Sequence, residues 1–185
     1  MKRLIFIFIL PLFTISCATF EKTIAPQKLD KENLQKINGV YNNKNLTGRW
    51  FCLTDVFDRN TSILYFITDK EKYNNNEVKV ALNIVSDKRI NVKVIDSVTE
   101  KIIFDKNLRC RLKRDGYLYL KHKSFMIDGI PLICGGFNVQ KSRMYINSDG
   151  ILNVESRCFF ISSALVILIG GSGTETINST FKKQP

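Results

Sequence analysis

The feature that most constrains the fold is an alternation of apolar and polar residues with a period of two. It is clearest over residues 108–113, where every even position is apolar and every odd position is basic. Similar runs occupy 78–84 and 90–94. Successive side chains of a β-strand point to opposite faces of the sheet. The pattern therefore predicts strands with one buried face and one solvated face.

Turn signals separate these runs from one another. They are Asp87-Lys88-Arg89, Asp115-Gly116 and Asp149-Gly150. Further strands are predicted at Val40–Asn42, Arg49–Phe57, Ile63–Thr68, Lys101–Phe104, Tyr117–Lys121, Met144–Ile146, Ile151–Val154 and Ile177–Phe181. We expect an all-β domain, a single antiparallel meander of about 8–10 strands that forms either a barrel or a strongly curled sheet. One short N-terminal helix is predicted over 30–37, capped by Asp30 and ended by Asn38-Gly39.

One apolar run is longer than the others and covers residues 159–169. It is too short to cross a bilayer as a helix, which takes about 20 residues. We expect a fully buried central strand, followed by a tight reversal at the glycines of residues 170–173. A phosphate-binding loop would need a helix after these glycines, whereas residues 174–181 alternate like a strand.

The N-terminus has the layout of an export signal. Two basic residues, Lys2 and Arg3, precede ten apolar residues at 4–13, and Ser16-Cys17 follow shortly after. The Ser16-Cys17 junction resembles the lipobox of bacterial lipoproteins, whose cysteine is acylated and becomes the first residue of the mature protein. The resemblance implies a signal peptide over 1–16, a lipidated tether over 17–29 and a β domain over 30–185. An ordinary secretory signal with a chance cysteine is the alternative.

The same resemblance implies a location and partners. Ala18 follows the cysteine, where lipoproteins kept at the inner membrane typically have Asp. This implies the outer membrane, with the domain facing the periplasm. Removal of residues 1–16 lowers the net charge from +11 to +9, because Lys2 and Arg3 are lost (26 basic against 17 acidic residues). This charge favours contact with anionic lipid headgroups, although AT-rich coding also enriches a sequence in Lys and Asn. An outer-membrane protein is another possible partner, and nucleic acid is not expected.

The four cysteines after Cys17 allow two interpretations. They are Cys52, Cys110, Cys134 and Cys158. In an oxidising compartment an even number permits two disulfides, with three possible pairings. Three of them also lie in apolar, strand-like contexts, where a thiol packs as a small hydrophobe. Their wide spacing does not indicate a zinc site.

Residues suited to catalysis are sparse. The single histidine, His122, lies between two lysines, and nucleophilic Ser or Cys normally needs a neighbouring base. The carboxylates are scattered and lie mostly in turns. We therefore expect no enzyme, no cofactor and no metal site.

A second, short resemblance concerns residues 48–50. Gly48-Arg49-Trp50 resembles the Gly-x-Trp opening of the lipocalins, in which the Trp closes the base of a β-barrel and packs on an Arg from a late strand. The resemblance implies that Gly48 and Trp50 close the barrel together with Arg143 or Arg157. The second lipocalin motif, Thr-Asp followed by an aromatic residue, is missing from its expected place.

Together these observations predict a membrane-anchored binding module for a small apolar ligand or lipid. The residues expected to line its interior are Val78, Val80, Leu82, Ile84, Leu108, Cys110 and Leu112. The alternative is an accessory subunit that docks on an outer-membrane complex through a sheet edge. A ligand site should approach about 300 Å³ or more.

Overall fold

The fold is an antiparallel sheet with very little helix, as the alternation predicted. The computed structural model describes residues 20–48, 51–57, 73–121, 124–130, 134–164 and 172–184. The strands formed by these residues are β1 Gly39–Asn42, β2 Val78–Ser86, β3 Arg89–Asp96, β4 Ile102–Leu112, β5 Leu118–Leu120, β6 Ser124–Ile130, β7 Cys134–Ile146, β8 Leu152–Ala164 and β9 Ser172–Phe181. A 3₁₀ helix spans Leu34–Ile37, and one turn of α-helix, α1, spans Thr54–Phe57.

The strands follow one another in the sheet almost in chain order. The order is β1-β2-β3-β4-β5-β7-β8-β9, and β6 also pairs with β7. Leu118 of β5 lies opposite Met144, and Ser124 of β6 lies opposite Gln140. Since β5 and β6 pair with successive halves of β7, they act as two sections of one strand. The sheet is therefore an up-and-down meander with eight strand positions, which confirms the predicted fold class.

The sheet curls so strongly that its first strand meets the chain that follows its last strand. The N–H of Asn42 donates to the carbonyl of Lys182 at 3.0 Å. The N–H of Gln184 donates to the carbonyl of Val40 at 2.7 Å. These bonds satisfy backbone groups that an open sheet edge would leave unpaired.

The inner face of the curled sheet carries the hydrophobic core. Over residues 108–113 the predicted alternation is confirmed, because Leu108 and Cys110 are buried whereas Arg109 and Arg111 are exposed. The same alternation from the other strands produces one continuous cluster. Its members include Val80, Leu82, Ile84, Ile90, Val92, Leu118, Met144, Ile146, Leu152, Val154, Ile177 and Phe181. The 3₁₀ helix and α1 pack against this cluster through Leu34, Ile37, Val56 and Phe57.

The predicted strand Arg49–Phe57 was wrong at its C-terminal end, where α1 forms instead. The N–H of Cys52 donates to a carboxylate oxygen of Asp55 at 2.8 Å, and this local bond favours a helical turn over an extended chain. Leu53, Val56 and Phe57 are buried, with the spacing of one helix face. Ile63–Thr68 lies outside the described residues.

Two other elements differ in extent from the prediction. The short helix covers only Leu34–Ile37, and a turn in which Asp30 accepts hydrogen bonds from the backbone precedes it. The predicted strand Lys101–Phe104, apart from Lys101, and the run 108–112 belong to one strand, β4. None of the helices formed by the described residues is long and apolar enough to cross a bilayer.

The apolar run that begins at residue 159 forms part of β8, a central strand between β7 and β9, up to Ala164. It is not fully buried, because Phe160 is 41 % exposed. Its ring lies over Gly173 of β9, where an added Cβ would be 2.6 Å from the ring. The aromatic ring therefore covers a glycine on the neighbouring strand. Residues 165–169 lie outside the described part of the chain.

Candidate functional site

Residues 20–29, which we call the N-terminal strap, lie against the sheet. The N–H of Ala25 donates to the carbonyl of Asp115 at 2.8 Å, and the N–H of Leu29 donates to that of Gly116 at 3.0 Å. Both strap residues are buried, and Leu29 belongs to the hydrophobic core. The segment predicted as a tether is therefore packed on the domain from Phe20 onward.

The strap crosses the β4–β5 turn at Gly116. This glycine has a φ of +82°, a conformation that costs other residues energy. A Cβ added to it would lie 2.7 Å from the Cα of Lys28. The backbone of the strap can therefore approach the turn only because residue 116 lacks a side chain.

Arg143 lies on the outer face of β7, yet its side chain is only 1 % exposed. Its partner across the strand pair is Glu155 of β8, and both Nε and one terminal nitrogen of the guanidinium contact the same carboxylate oxygen at 2.8 and 2.6 Å. The guanidinium also donates to Oγ1 of Thr23 at 2.8 Å and to the carbonyl of Glu21 at 3.3 Å. Arg143 thus connects the strap to two strands.

Three aromatic rings surround the same guanidinium. Its carbon lies 4.0 Å from the ring centre of Tyr117 and 4.7 Å from that of Phe20, distances typical of cation–π contacts. The hydroxyl of Tyr119 accepts a hydrogen bond from Arg143 at 3.1 Å and donates one to Asp115 at 2.7 Å. Burial, followed by the hydrogen bond to Asp115, raises the pKa of Tyr119. The Tyr119 hydroxyl therefore remains a proton donor at neutral pH.

Three of the four predicted barrel-closing residues, Gly48, Arg143 and Arg157, lie within the described residues. Gly48 has a left-handed φ of +71°. The residue before it, Thr47, and Arg143 both line a cleft between the strap and strands β7–β9. Arg157 lies on the outer face opposite Lys141. Trp50 lies outside the described residues, so its packing against Arg143 or Arg157 stays a prediction.

A cleft of about 640 Å³, which we call the outer cleft, lies between the strap and strands β7–β9. Ile24 and Pro26 of the strap contribute apolar surface to it. The remaining lining residues are mainly aromatic or neutral polar, and they include Tyr117, Tyr145, Asn153, Thr176, Asn178 and Thr180. The outer cleft therefore offers carbon surface and neutral hydrogen-bonding groups side by side.

A smaller cleft of about 310 Å³ lies beside the start of the strap. We call it the basic cleft, because Lys22, Lys113 and Lys141 line it. Phe20 and Tyr119 form its aromatic wall, and Nζ of Lys113 lies 3.6 Å from the ring centre of Tyr119.

Three cysteines lie with their side chains in the described part of the structure. Cys52, Cys110 and Cys158 are thiols in the structure. Burial raises the pKa of Cys110 to about 11, and burial together with Asp55 does the same for Cys52. Little thiolate therefore forms at these two cysteines near neutral pH. Cys17, His122 and the side chain of Cys134 lie outside the described part of the structure.

Within the described residues, no three His, Cys, Asp or Glu side chains come together as metal ligands. The aromatic residues around Arg143 were missed by the sequence analysis, although a signal for them exists. Tyr117 and Tyr119 alternate with Leu118 and Leu120, which places aromatic rings on the face opposite to the core.

Comparisons of the chain with protein-family models, with curated proteins and with solved structures found no match.

Proposed function

We propose that this chain is a lipid-anchored protein of the bacterial cell envelope, whose lipocalin-like β domain binds a small amphiphilic ligand or lipid. The observation that carries the proposal is the outer cleft. Its volume of about 640 Å³ exceeds the roughly 300 Å³ at which ligand sites begin. One side of the cleft is the strap, so a ligand there would contact both the sheet and the segment that leads to the anchor.

The interior of the curled sheet is a less suitable place for the ligand. Six of the seven inward residues expected to line a cavity are buried, and five of these belong to the continuous core cluster. These five pack in one cluster with Leu34 and Ile37 of the 3₁₀ helix. We therefore assign the ligand to the outer face, where the sequence pattern alone did not place it.

The lining of the outer cleft indicates the class of ligand. Tyr117 and Tyr145 pack edge to face with ring centres 5.5 Å apart and present carbon surface. Asn178 and Thr176 on β9 are exposed and carry uncharged polar groups. Of the three charged residues in the lining, Arg143 and Glu155 bind each other, and Glu21 is exposed on the strap. A ligand with an apolar part and neutral hydrogen-bonding groups fits these walls.

The ligand proposal can be tested by filling the cleft. Asn178→Trp places a large side chain in it, and Thr174→Trp is the matched control on the same face of β9 but outside the cleft lining. Binding of a short-chain monoacylglycerol, an uncharged amphiphile, is measured below its micellar concentration by native mass spectrometry. We expect Asn178→Trp to abolish binding and Thr174→Trp to retain it. Equal binding by both variants and the wild type would contradict the assignment.

The anchor is proposed from Ser16-Cys17 at the end of the apolar N-terminal run. Cys17→Ser removes the thiol that would carry the lipid. Metabolic labelling with a palmitate analogue should therefore label the wild type and not the variant. Equal labelling of both chains would contradict the lipoprotein assignment.

The outer membrane, with the domain facing the periplasm, is the proposed location because Ala18 follows the cysteine.

An accessory subunit remains the second candidate, and one observation favours it. Among the described strands, β6 pairs with β7 alone, and its other edge is where a partner would add a strand in this candidate function. If the wild type binds no lipid and cross-linking in intact cells joins β6 to an outer-membrane protein, this candidate replaces the first.

A further inference from the structure

The distance between the proposed anchor and the folded domain is very short. Phe20, the first described residue, comes three residues after Cys17. A trans-peptide chain advances at most about 3.6 Å per residue, so the Cα atoms of Cys17 and Phe20 can be no more than about 11 Å apart. The ring of Phe20 packs on Tyr119 with ring centres 5.5 Å apart. If Cys17 carries the lipid, the surface around Phe20 lies at the headgroups of the membrane.

The surface at this position is the basic cleft. Its three lysines are Lys22 of the strap, Lys113 directly after β4 and Lys141 of β7. Among the described residues, none of the three forms an ion pair with a carboxylate. Two carboxylates, Glu21 and Asp115, also line the cleft, and the three lysines outnumber them. Asp115 already accepts hydrogen bonds from the hydroxyl of Tyr119 and the N–H of Tyr117. The lysines are therefore available to an anion from outside the chain.

A second observation concerns Arg157, which lies beside the cleft as the cross-strand neighbour of Lys141. Lys141 and Arg157 lie directly opposite each other on β7 and β8, where two like charges destabilise a strand pair. Nε of Arg157 is buried and has no hydrogen-bond acceptor within the described part of the chain. A phosphate group would supply both the negative charge and the acceptor oxygens that this pair lacks.

We propose that the basic cleft binds the phosphate headgroup of an anionic phospholipid in the membrane that holds the anchor. The proposal rests on the anchor at Cys17 for its geometry. Lipid anchor and headgroup then act together: the acyl chains keep the protein at the bilayer, and the lysines hold this face of the domain against it. Tyr119 and Arg143 fix the strap, and with it the segment that leads to the anchor, against the sheet. Tyr119 packs on Phe20, and Arg143 donates hydrogen bonds to Glu21 and Thr23. The outer cleft, which shares the strap as a wall, is thereby held close to the membrane surface.

The experiment uses the mature chain in nanodiscs of phosphatidylcholine that contain a small fraction of phosphatidylglycerol with a photoreactive headgroup. Cross-linked peptides are identified by mass spectrometry. We expect cross-links at the strap start and near Lys113 and Lys141. Each basic residue at an anionic surface contributes about a factor of five in affinity, so replacing all three lysines by Gln should lower the yield about 100-fold.

Two controls separate the cleft from general surface charge. Lys31, Lys44 and Lys101 are exposed and do not line the cleft, so replacing these three by Gln removes the same charge elsewhere. The cross-linking yield of this control variant should stay close to that of the wild type. Replacing the three cleft lysines by Arg keeps the charge and should restore the yield. Equal losses in the two Gln triples, or cross-links spread evenly over the surface, would overturn the headgroup site.

The mass of the N-terminal peptide distinguishes failure of the anchor from failure of the cleft. If the peptide is acylated and the cleft does not cross-link, the headgroup site is wrong and the anchor stands. If the peptide carries no acyl chain, the anchor is wrong, and the headgroup site is then judged from the same cross-linking with vesicles of the same composition. A preference for free inorganic phosphate over the lipid, measured by competition, would also overturn the membrane assignment.

Discussion

Arg143 shows how one charged residue can be buried on the face of a sheet opposite to its core. Removing a guanidinium from water is costly unless it is paired and hydrogen-bonded. Glu155 supplies the opposite charge, and Thr23 and the carbonyl of Glu21 accept further hydrogen bonds. The aromatic ring of Tyr117 covers its flat face. The residue therefore stabilises the strap, because two of its hydrogen bonds are accepted by strap residues, Glu21 and Thr23.

We predict that Arg143→Gln destabilises the domain strongly. The change leaves the carboxylate of Glu155 largely buried without its partner, a loss of about 3–5 kcal/mol in the free energy of unfolding. The matched control is Lys79→Gln, which breaks an ion pair of the same 2.6 Å length whose partner Glu100 is 64 % exposed. Exposed pairs contribute about 1 kcal/mol or less. Urea unfolding of both variants gives the comparison, and similar losses in the two would contradict the role of Arg143.

At the scale of single elements, the strap and α1 were the least predictable parts. The strap has no regular secondary structure, and its position depends on contacts with residues about 100 positions away, such as Asp115 and Arg143. In α1 the run of apolar residues fits either a strand or a helix at this length. The bond between Cys52 and Asp55 favours the helix.

We predict that Gly116→Ala displaces the strap. The matched control is Gly150→Ala, because Gly150 also has a positive φ of +74° but has no neighbouring atom within 4 Å of an added Cβ. Both changes carry the backbone cost of about 1–2 kcal/mol. Only Gly116→Ala also clashes with the Cα of Lys28, so it should unfold at lower urea concentration than the control.

Limited digestion with trypsin at native conditions follows the strap itself. Cleavage after Lys22 and Lys28 should be faster in Gly116→Ala than in Gly150→Ala. If the two variants are cleaved at the same rate and unfold together, the close approach at Gly116 does not hold the strap.

At the scale of the whole molecule, curling of the sheet converts a linear meander into a fold with its two ends joined. The joint is short, consisting of the bonds between β1 and residues 182–184. It also involves the side chain of Gln184, whose amide donates to the side-chain oxygen of Asn42 at 2.8 Å. The N-terminal and C-terminal parts of the domain therefore stabilise each other.

Deleting residues 182–185 should open this joint. The deletion removes two backbone hydrogen bonds, each of which contributes about 1 kcal/mol. We therefore expect the free energy of unfolding to fall by about 2 kcal/mol and amide hydrogen exchange in β1 to become faster. Gln184→Ala is the control, because it removes only the side-chain bond to Asn42. Unchanged exchange at the N–H of Asn42 after the deletion would show that the joint does not form in solution.

The sequence by itself determined the all-β class, the meander and the faces of most strands. These follow from local alternation, because a period of two assigns each side chain to one face whatever lies far along the chain. Leu108 and Cys110 are buried and Arg109 and Arg111 are exposed, as that pattern predicts. The sequence also indicated Arg143 as a residue of interest, but with a different expected neighbour.

Only the tertiary structure decided where the clefts lie and what surrounds Arg143. Its neighbours Thr23, Tyr117 and Glu155 are brought together from the strap and two strands by the curl of the sheet. No local pattern encodes such contacts, because their formation depends on register and curvature over the whole molecule. The same reason explains why the segment predicted as a tether is part of the domain. Its polar sequence resembles a linker, and the buried positions Ala25 and Leu29 become visible only against the turn that they pack on.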